Sequence, residues 1–160
     1  PYLSGNLEGL VKDYYETGNI KAEIPYKENR IDGVARYYYE NGKLEREQSY
    51  KIGLREGLQR SYYPSGNIRT DSLYLHDRLE GVQLNYYESG QPRSEKSYRA
   101  GLAQGMWKFF YENGKIKAEV PFVNGKLETI WKYYFENGND SEESLREGER
   151  AQVYMLGPGK

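Results

Sequence analysis

The sequence predicts an all-β chain, an elongated single-layer antiparallel meander of tandem 24-residue β-hairpins, and three observations predict it. Gly recurs at Gly9, Gly33, Gly57, Gly81 and Gly105, each 24 residues after the last. A second series runs at the same spacing through Gly18, Gly42, Gly66, Gly90, Gly114 and Gly138. Before each member of that series stands an aromatic pair: Tyr14-Tyr15, Tyr38-Tyr39, Tyr62-Tyr63, Tyr86-Tyr87, Phe110-Tyr111 and Tyr134-Phe135. A further ring follows eight residues later, at Tyr26, Tyr50, Tyr74, Tyr98 or Phe122. Self-similarity at a fixed period of this size is the signature of a repeat architecture.

The first element of each repeat is a hairpin. The second-series glycines follow Asn41, Asn113 and Asn137, or Ser or Thr. Asn-Gly between two alternating runs predicts a two-residue loop, because both residues accept positive φ. With that loop at Asn41-Gly42, Tyr39 lies opposite Leu44, Tyr37 opposite Arg46 and Arg36 opposite Glu47. The same register sets Lys12 against Glu23, Arg60 against Asp71, Lys108 against Glu119 and Lys132 against Glu143, and only the fourth copy breaks the pattern, with Leu84 opposite Glu95. Opposite charges across a ladder contribute roughly 0.2–1 kcal/mol each. The charge pairing is independent of the glycine spacing and supports the register.

That register separates two faces. One carries Tyr15, Ile20 and Ala22, and in the fifth copy Trp107, Phe109, Tyr111, Ile116, Ala118 and Val120. The other is charged, and places Tyr14, Tyr62 and Tyr86 across from Lys21, Arg69 and Arg93 for cation–π contact. A second turn near Ile52-Gly53, Ala100-Gly101 and Asn124-Gly125 returns the chain to the next copy. Turns this short make consecutive strands antiparallel neighbours. Two strands per repeat advance the sheet by roughly 10 Å, which gives an array of roughly 60 Å. The Gly9-type glycine falls inside a strand, where it marks a bulge or kink.

The array spans residues 1–138, with a partial repeat at 1–8 and copies beginning at residues 9, 33, 57, 81, 105 and 129. Tyr2 and Gly5 occupy the places of Tyr50 and Gly53, so the chain opens inside a repeat, and the native protein is expected to extend upstream. The first strand therefore offers an unpaired edge for edge-to-edge association with another chain. Residues 139–160 read as a degenerate cap and tail: Asp140, Glu142, Glu143, Glu147 and Glu149 replace apolar positions, and Gly148 and Gly157 restore a truncated hairpin. Terminal caps of repeat arrays resist further pairing.

Composition narrows the function classes. Eighteen of the 160 residues are Tyr, so rings supply much of the burial. Charged residues make up 29%, with a net charge of −1 and the signs interleaved. This lacks the electrostatic term that nucleic-acid binding relies on. There is no Cys, which excludes disulfides and thiolate-held metals. No apolar run approaches the roughly 18 residues of a membrane span.

The segments Tyr38-Tyr39-Glu40-Asn41-Gly42-Lys43 and Tyr111-Glu112-Asn113-Gly114-Lys115, with Gly105-Met106-Trp107-Lys108 before the latter, resemble MORN-type repeats. They look most like the bacterial variant seen in proteins described as antitoxins of toxin–antitoxin systems. The resemblance covers Tyr2 to about Gly138 and implies a single-layer β array that acts in protein binding and scaffolding. It implies no catalytic residues and no cofactor. Some eukaryotic members of this class are linked to membrane lipids. Pro92, where other copies carry Ile or Leu, and the sequence after Gly138 depart from the pattern.

Residues that carry chemistry elsewhere read as structural. His76, the sole His, stands in the second turn beside Asp77 and reads as a solvated loop residue, because a flat meander supplies neither nucleophile nor pocket. The ladder carboxylates read as charge pairs on an exposed face, and Gly157-Pro158-Gly159-Lys160 as a frayed tail. No catalytic, cofactor or metal site is expected, and the chain is not expected to be an enzyme. The expected partner is another protein, with no nucleic acid. An antitoxin-like inhibitor of a cognate toxin is one alternative. A peripheral membrane or envelope scaffold is another, though the charge gives no sign of membrane association. Bacterial cytoplasm and export to the cell envelope both fit. The expected protein-binding residues are Trp107, Phe109 and Tyr111 with Trp131, Tyr133 and Phe135, because equivalent positions in the third and fourth copies hold Gln59, Ser61 and Tyr63, then Gln83, Asn85 and Tyr87. Trp and Tyr concentrate binding energy at interfaces. The competing expectation is that these rings pack under the C-terminal tail, against Val153, Tyr154 and Met155.

Overall fold

A computed structural model describes residues 2–3, 5–128 and 132–137. It is all-β, one open antiparallel meander in which each strand of the main sheet lies beside its sequence neighbours. Each repeat has an outgoing arm and a return arm. The return arms are Ile20–Lys27, Leu44–Lys51, Ile68–Leu75, Pro92–Arg99 and Ile116–Val123. The outgoing arms Leu54–Tyr62 and Arg78–Tyr86 are continuous. In the second and fifth copies they divide before the first-series glycine, into Arg30–Ile31 with Gly33–Tyr38 and Leu102–Ala103 with Gly105–Phe110.

The body of the hairpin has the expected register. Lys12 faces Glu23, Arg36 faces Glu47, Arg60 faces Asp71, Leu84 faces Glu95 and Lys108 faces Glu119. Three of these pairs close as ion pairs, at 2.8 Å for Lys12–Glu23, 3.0 Å for Arg36–Glu47 and 2.7 Å for Arg60–Asp71. Glu119 accepts a hydrogen bond from the Tyr134 hydroxyl. The Lys132–Glu143 pairing, the C-terminal cap and the Gly157 tail lie outside the described residues.

The hairpin tip differs from the expectation. Gly42 N–H donates to Tyr39 C=O, and Tyr39 N–H donates to Lys43 C=O, both at 2.8 Å. Gly42 has φ of 80°, while Asn41 is not among the residues with positive φ. The loop is therefore three residues, Glu40-Asn41-Gly42, a turn followed by a left-handed glycine bulge. Tyr38, not Tyr39, lies opposite Leu44, and the register shifts between Tyr37 and Tyr38. Pro64, which occupies the place of Glu40, fits this geometry, since its fixed φ suits the first central position of such a turn.

Two-residue loops with positive φ at both positions occur instead at the second turn. Ile52-Gly53, His76-Asp77, Ala100-Gly101 and Asn124-Gly125 all have positive φ. Left-handed backbone is costly for a β-branched residue such as Ile52. A recurring side chain helps hold it. The turn N–H of Glu28, Ile52, His76, Ala100 and Asn124 donates to the side chain of Glu8, Asp32, Glu56, Glu80 and Gln104, respectively. Each such acceptor immediately precedes a first-series glycine.

Those glycines do mark a bulge. Between Glu23↔Arg36 and Tyr26↔Ile31 the pairing slips by two residues, and Gly33 sits there with φ of 114°. At the N-terminal side, Gly9–Tyr14 pairs within the chain only with the return arm Ile20–Lys27, so its other edge is free among the described residues. Tyr2–Leu3 pairs with Asn6–Leu7 in a separate two-stranded ribbon.

Burial lies on one face. Ala22, Ala35 and Ala118 are buried because larger groups flank them, as Phe109 and Tyr133 flank Ala118. In the middle copies the buried positions are polar: Gln59, Ser72 and Ser94.

Candidate interaction site

Repeats are tied to one another by side chains as well as strand pairing. The second ring of each of the first five aromatic pairs donates its hydroxyl to the backbone of the next repeat. Tyr15 reaches Tyr38 C=O, Tyr39 reaches Tyr62, Tyr63 reaches Tyr86, Tyr87 reaches Phe110 and Tyr111 reaches Tyr134, at 2.6–3.0 Å. The first ring serves the other face. Tyr38, Tyr62 and Tyr134 donate to Glu23, Glu47 and Glu119, each on a return arm.

The expected cation–π pairs are corrected by one residue. Lys21 lies over Tyr15 at 5.7 Å and Arg93 over Tyr87 at 5.8 Å, rather than over Tyr14 and Tyr86. Arg69 contacts the Ser61 hydroxyl instead. The cause is the bulge beside each tip: Tyr14 pairs with Ile20 and Asp13 with Ala22, leaving Lys21 as the extra residue. An extra residue breaks strict alternation and re-aims its side chain.

The six rings expected to bind a partner do not share one environment. Trp107 is 6% exposed. Its ring sits 5.2 Å from that of Tyr98 and 4.3 Å from that of Phe122, and its indole N–H donates to Ser97 C=O at 3.0 Å. Phe109 packs at the margin of this cluster. The Tyr111 and Tyr133 hydroxyls meet at 2.8 Å. Tyr133 meets Phe135 edge to face, with centroids 6.1 Å apart. Phe135 is 52% exposed. It follows the five tyrosines at this position and has no hydroxyl to continue their ladder. Trp131 and the tail residues Val153, Tyr154 and Met155 lie outside the described residues.

Lys96 places its ammonium over two of these rings, 5.1 Å from the Trp107 ring centre and 5.4 Å from that of Phe109. Burial, and then repulsion from Arg93, pull its pKa below the ordinary 10.5.

The opposite face carries a feature that the sequence reading missed. Leu10, Val34, Leu58, Val82 and Met106, one per repeat, are all exposed aliphatics. Each directly follows a first-series glycine, so aligning that position across copies reveals the row. His76 is in the second turn with its side chain 80% exposed, 3.8 Å from Glu56. Among the described residues, no three His, Asp or Glu side chains gather in a way that could hold a metal ion.

A family model described as MORN repeat variant matches the chain over residues 7–28, 31–51, 55–76, 79–100 and 103–124, starting anew every 24 residues. No curated protein matches it.

Proposed function

The chain belongs to the family of MORN repeat variants, whose repeats generally build non-catalytic scaffolds, and from that premise we propose that it binds another protein through the aromatic surface of its fifth and sixth copies. The observation that carries this reading is the end of the hydroxyl ladder. Where five tyrosines are tied to the next strand, Phe135 is untied and half-exposed against Tyr133. Exposed clustered rings are the groups most often found where binding energy concentrates. In this reading Phe135, Tyr133 and Tyr111 form the contact surface, Trp131 is proposed from the sequence alone to add to it, and Trp107 is held in its own packed cluster with Tyr98 and Phe122.

The test separates contact from packing. A partner isolated with this chain as bait is titrated against Phe135→Ala, Trp131→Ala and Trp107→Ala. Loss of at least tenfold in affinity for Phe135→Ala at an unchanged unfolding midpoint supports the surface. Full affinity in both Phe135→Ala and Trp131→Ala removes it. Inhibition of a toxin is a specific form of the same activity, and rescue of growth on co-expression with a toxic neighbour selects it. Flotation with lipid vesicles in the absence of any protein partner would favour a membrane scaffold instead.

A further inference from the structure

Lys96 is out of place in the repeat. The equivalent positions hold Ile24, Gln48, Ser72 and Val120, all uncharged. Its ammonium lies over the Trp107 and Phe109 rings, opposite Gln83 on the neighbouring arm. Among the described residues, no carboxylate pairs with it. The same holds for Arg93, the bulge residue three positions before it, whose guanidinium lies over Tyr87. On the other face the cations Lys12, Arg36 and Arg60 each hold a carboxylate. Among the described residues, Lys96 and Arg93 have no such partner.

An ammonium drawn out of water without a counter-ion costs free energy. The ring faces offset part of that cost. They do not explain the cation, since the fifth copy fills the same place with Val120, beside the same Trp107 and Phe109. Such an arrangement is suited to a ligand that brings the missing charge.

We propose that Lys96, with Arg93 at its rim, is a binding site for a side-chain carboxylate on an acidic peptide segment of the protein partner. This rests on the reading of the aromatic surface above, and names the chemistry its partner would present. A carboxylate offers only acceptors, and Lys96 and Arg93 offer only donors. Bonds between charged groups are the stronger kind, and rings that limit water strengthen them further. A single side chain can reach an ammonium set among rings, whereas a flat layer of lipid headgroups meets outlying cations first.

Calorimetric titration of the whole chain with hexaglutamate at physiological salt tests the site, with hexaglutamine, inorganic phosphate and vesicles containing anionic phosphatidylglycerol as the other arms. Saturable binding of hexaglutamate alone is expected. Lys96→Gln should weaken it at least tenfold, Lys96→Arg should retain it, and Arg69→Gln, in the preceding repeat, should leave it unchanged. Gln already occupies the equivalent position as Gln48, so the variant has a precedent within the array. Equal binding by Lys96→Gln, no binding of hexaglutamate, or equal binding of phosphate or vesicles overturns the proposal. If that happens while Phe135→Ala still abolishes partner binding, only the acidic-ligand site falls and the scaffold reading stands.

Discussion

The third and fifth copies place opposite chemistries on the same backbone. In the third, the inward face holds Gln59, Ser61, Thr70 and Ser72; in the fifth it holds Trp107, Phe109, Ala118 and Val120. Yet Gln59 and Trp107 donate to equivalent carbonyls, Ser49 and Ser97, at 2.8 and 3.0 Å. Tyr63 and Tyr111 likewise reach equivalent carbonyls in the next repeat. The difference teaches what holds the array. Backbone ladders, tyrosine hydroxyls and turn-capping side-chain oxygens recur from copy to copy, so the inward face can change from amide to indole. A repeat protein is stabilised by each unit and its contacts with its neighbours, which lets one copy acquire a surface that the others lack.

The largest expected contrast comes from truncating the two donors. Trp107→Ala removes a buried ring between Tyr98 and Phe122 and should cost about 3–5 kcal/mol. Gln59→Ala removes a side chain with one bonded nitrogen and an unpartnered buried oxygen, and should cost about 1 kcal/mol. Urea unfolding followed by amide exchange, copy by copy, reads both. Equal costs would mean that the indole adds no burial beyond its hydrogen bond. A second contrast lies at the bulges. Gly33 has φ of 114°, and an added Cβ would come within 3.2 Å of the Pro25 ring. At Gly105 φ is 69° and nothing lies within 4 Å. Gly33→Ala should therefore cost about 2–3 kcal/mol, and Gly105→Ala about 1 kcal/mol. A reversed order of midpoints would refute the geometry of the bulge.

Much of this fold was legible because a glycine period and an independent charge pattern agreed on one register. What was misread lay within two residues of a turn. Asn41-Gly42 suits a two-residue loop, but Glu40 joins it in a three-residue one, and only Pro64 in one copy hints at this. The resulting bulge moved Lys21 and Arg93 onto Tyr15 and Tyr87, a one-residue effect that alternation cannot show. The concentration of rings in the fifth and sixth copies was visible in composition. Their division into buried Trp107 and exposed Phe135 was not, because it depends on which ring has neighbours on both sides. The tyrosine ladder was also hidden, since its hydroxyls bond to backbone rather than to a residue whose identity could signal it.

Removing one rung of that ladder tests whether it is shared equally. Tyr63→Phe deletes a hydroxyl 2.7 Å from Tyr86 C=O and should lower stability by about 1 kcal/mol. Tyr39→Phe, whose hydroxyl makes the same bond to Tyr62, should do the same, since neither rung depends on the inward face. Unfolding midpoints that differ widely between the two would tie the ladder to local packing instead.

Acid provides the smallest and most selective contrast, because charge pairing is not uniform along the array. The hydrogen bond from Lys12, and then that from Tyr38, hold the Glu23 carboxyl below its ordinary 4.5. The Arg55 backbone N–H, and then its side chain, hold Asp77 below its ordinary 3.8. A carboxyl whose folded pKa is depressed contributes stability above its unfolded pKa and loses it as pH falls through the folded value. Both contributions should be intact at neutral pH and fade below the ordinary carboxylate range. Among the described residues, Glu119 accepts the same tyrosine hydroxyl bond that Glu23 and Glu47 do, but Lys108 opposite it does not close as an ion pair. Both carboxyls are close to solvent, so screening keeps the effects small. Amide exchange at pH 7 and pH 3 should therefore show the first copy, which holds Glu23, and the third, which holds Asp77, losing more protection than the fifth. Asp77→Asn should reduce the loss at the His76-Asp77 turn by weakening the neutral-pH reference, not by strengthening the acid state. Uniform loss across all copies would show that acid acts through net charge rather than through these bonds.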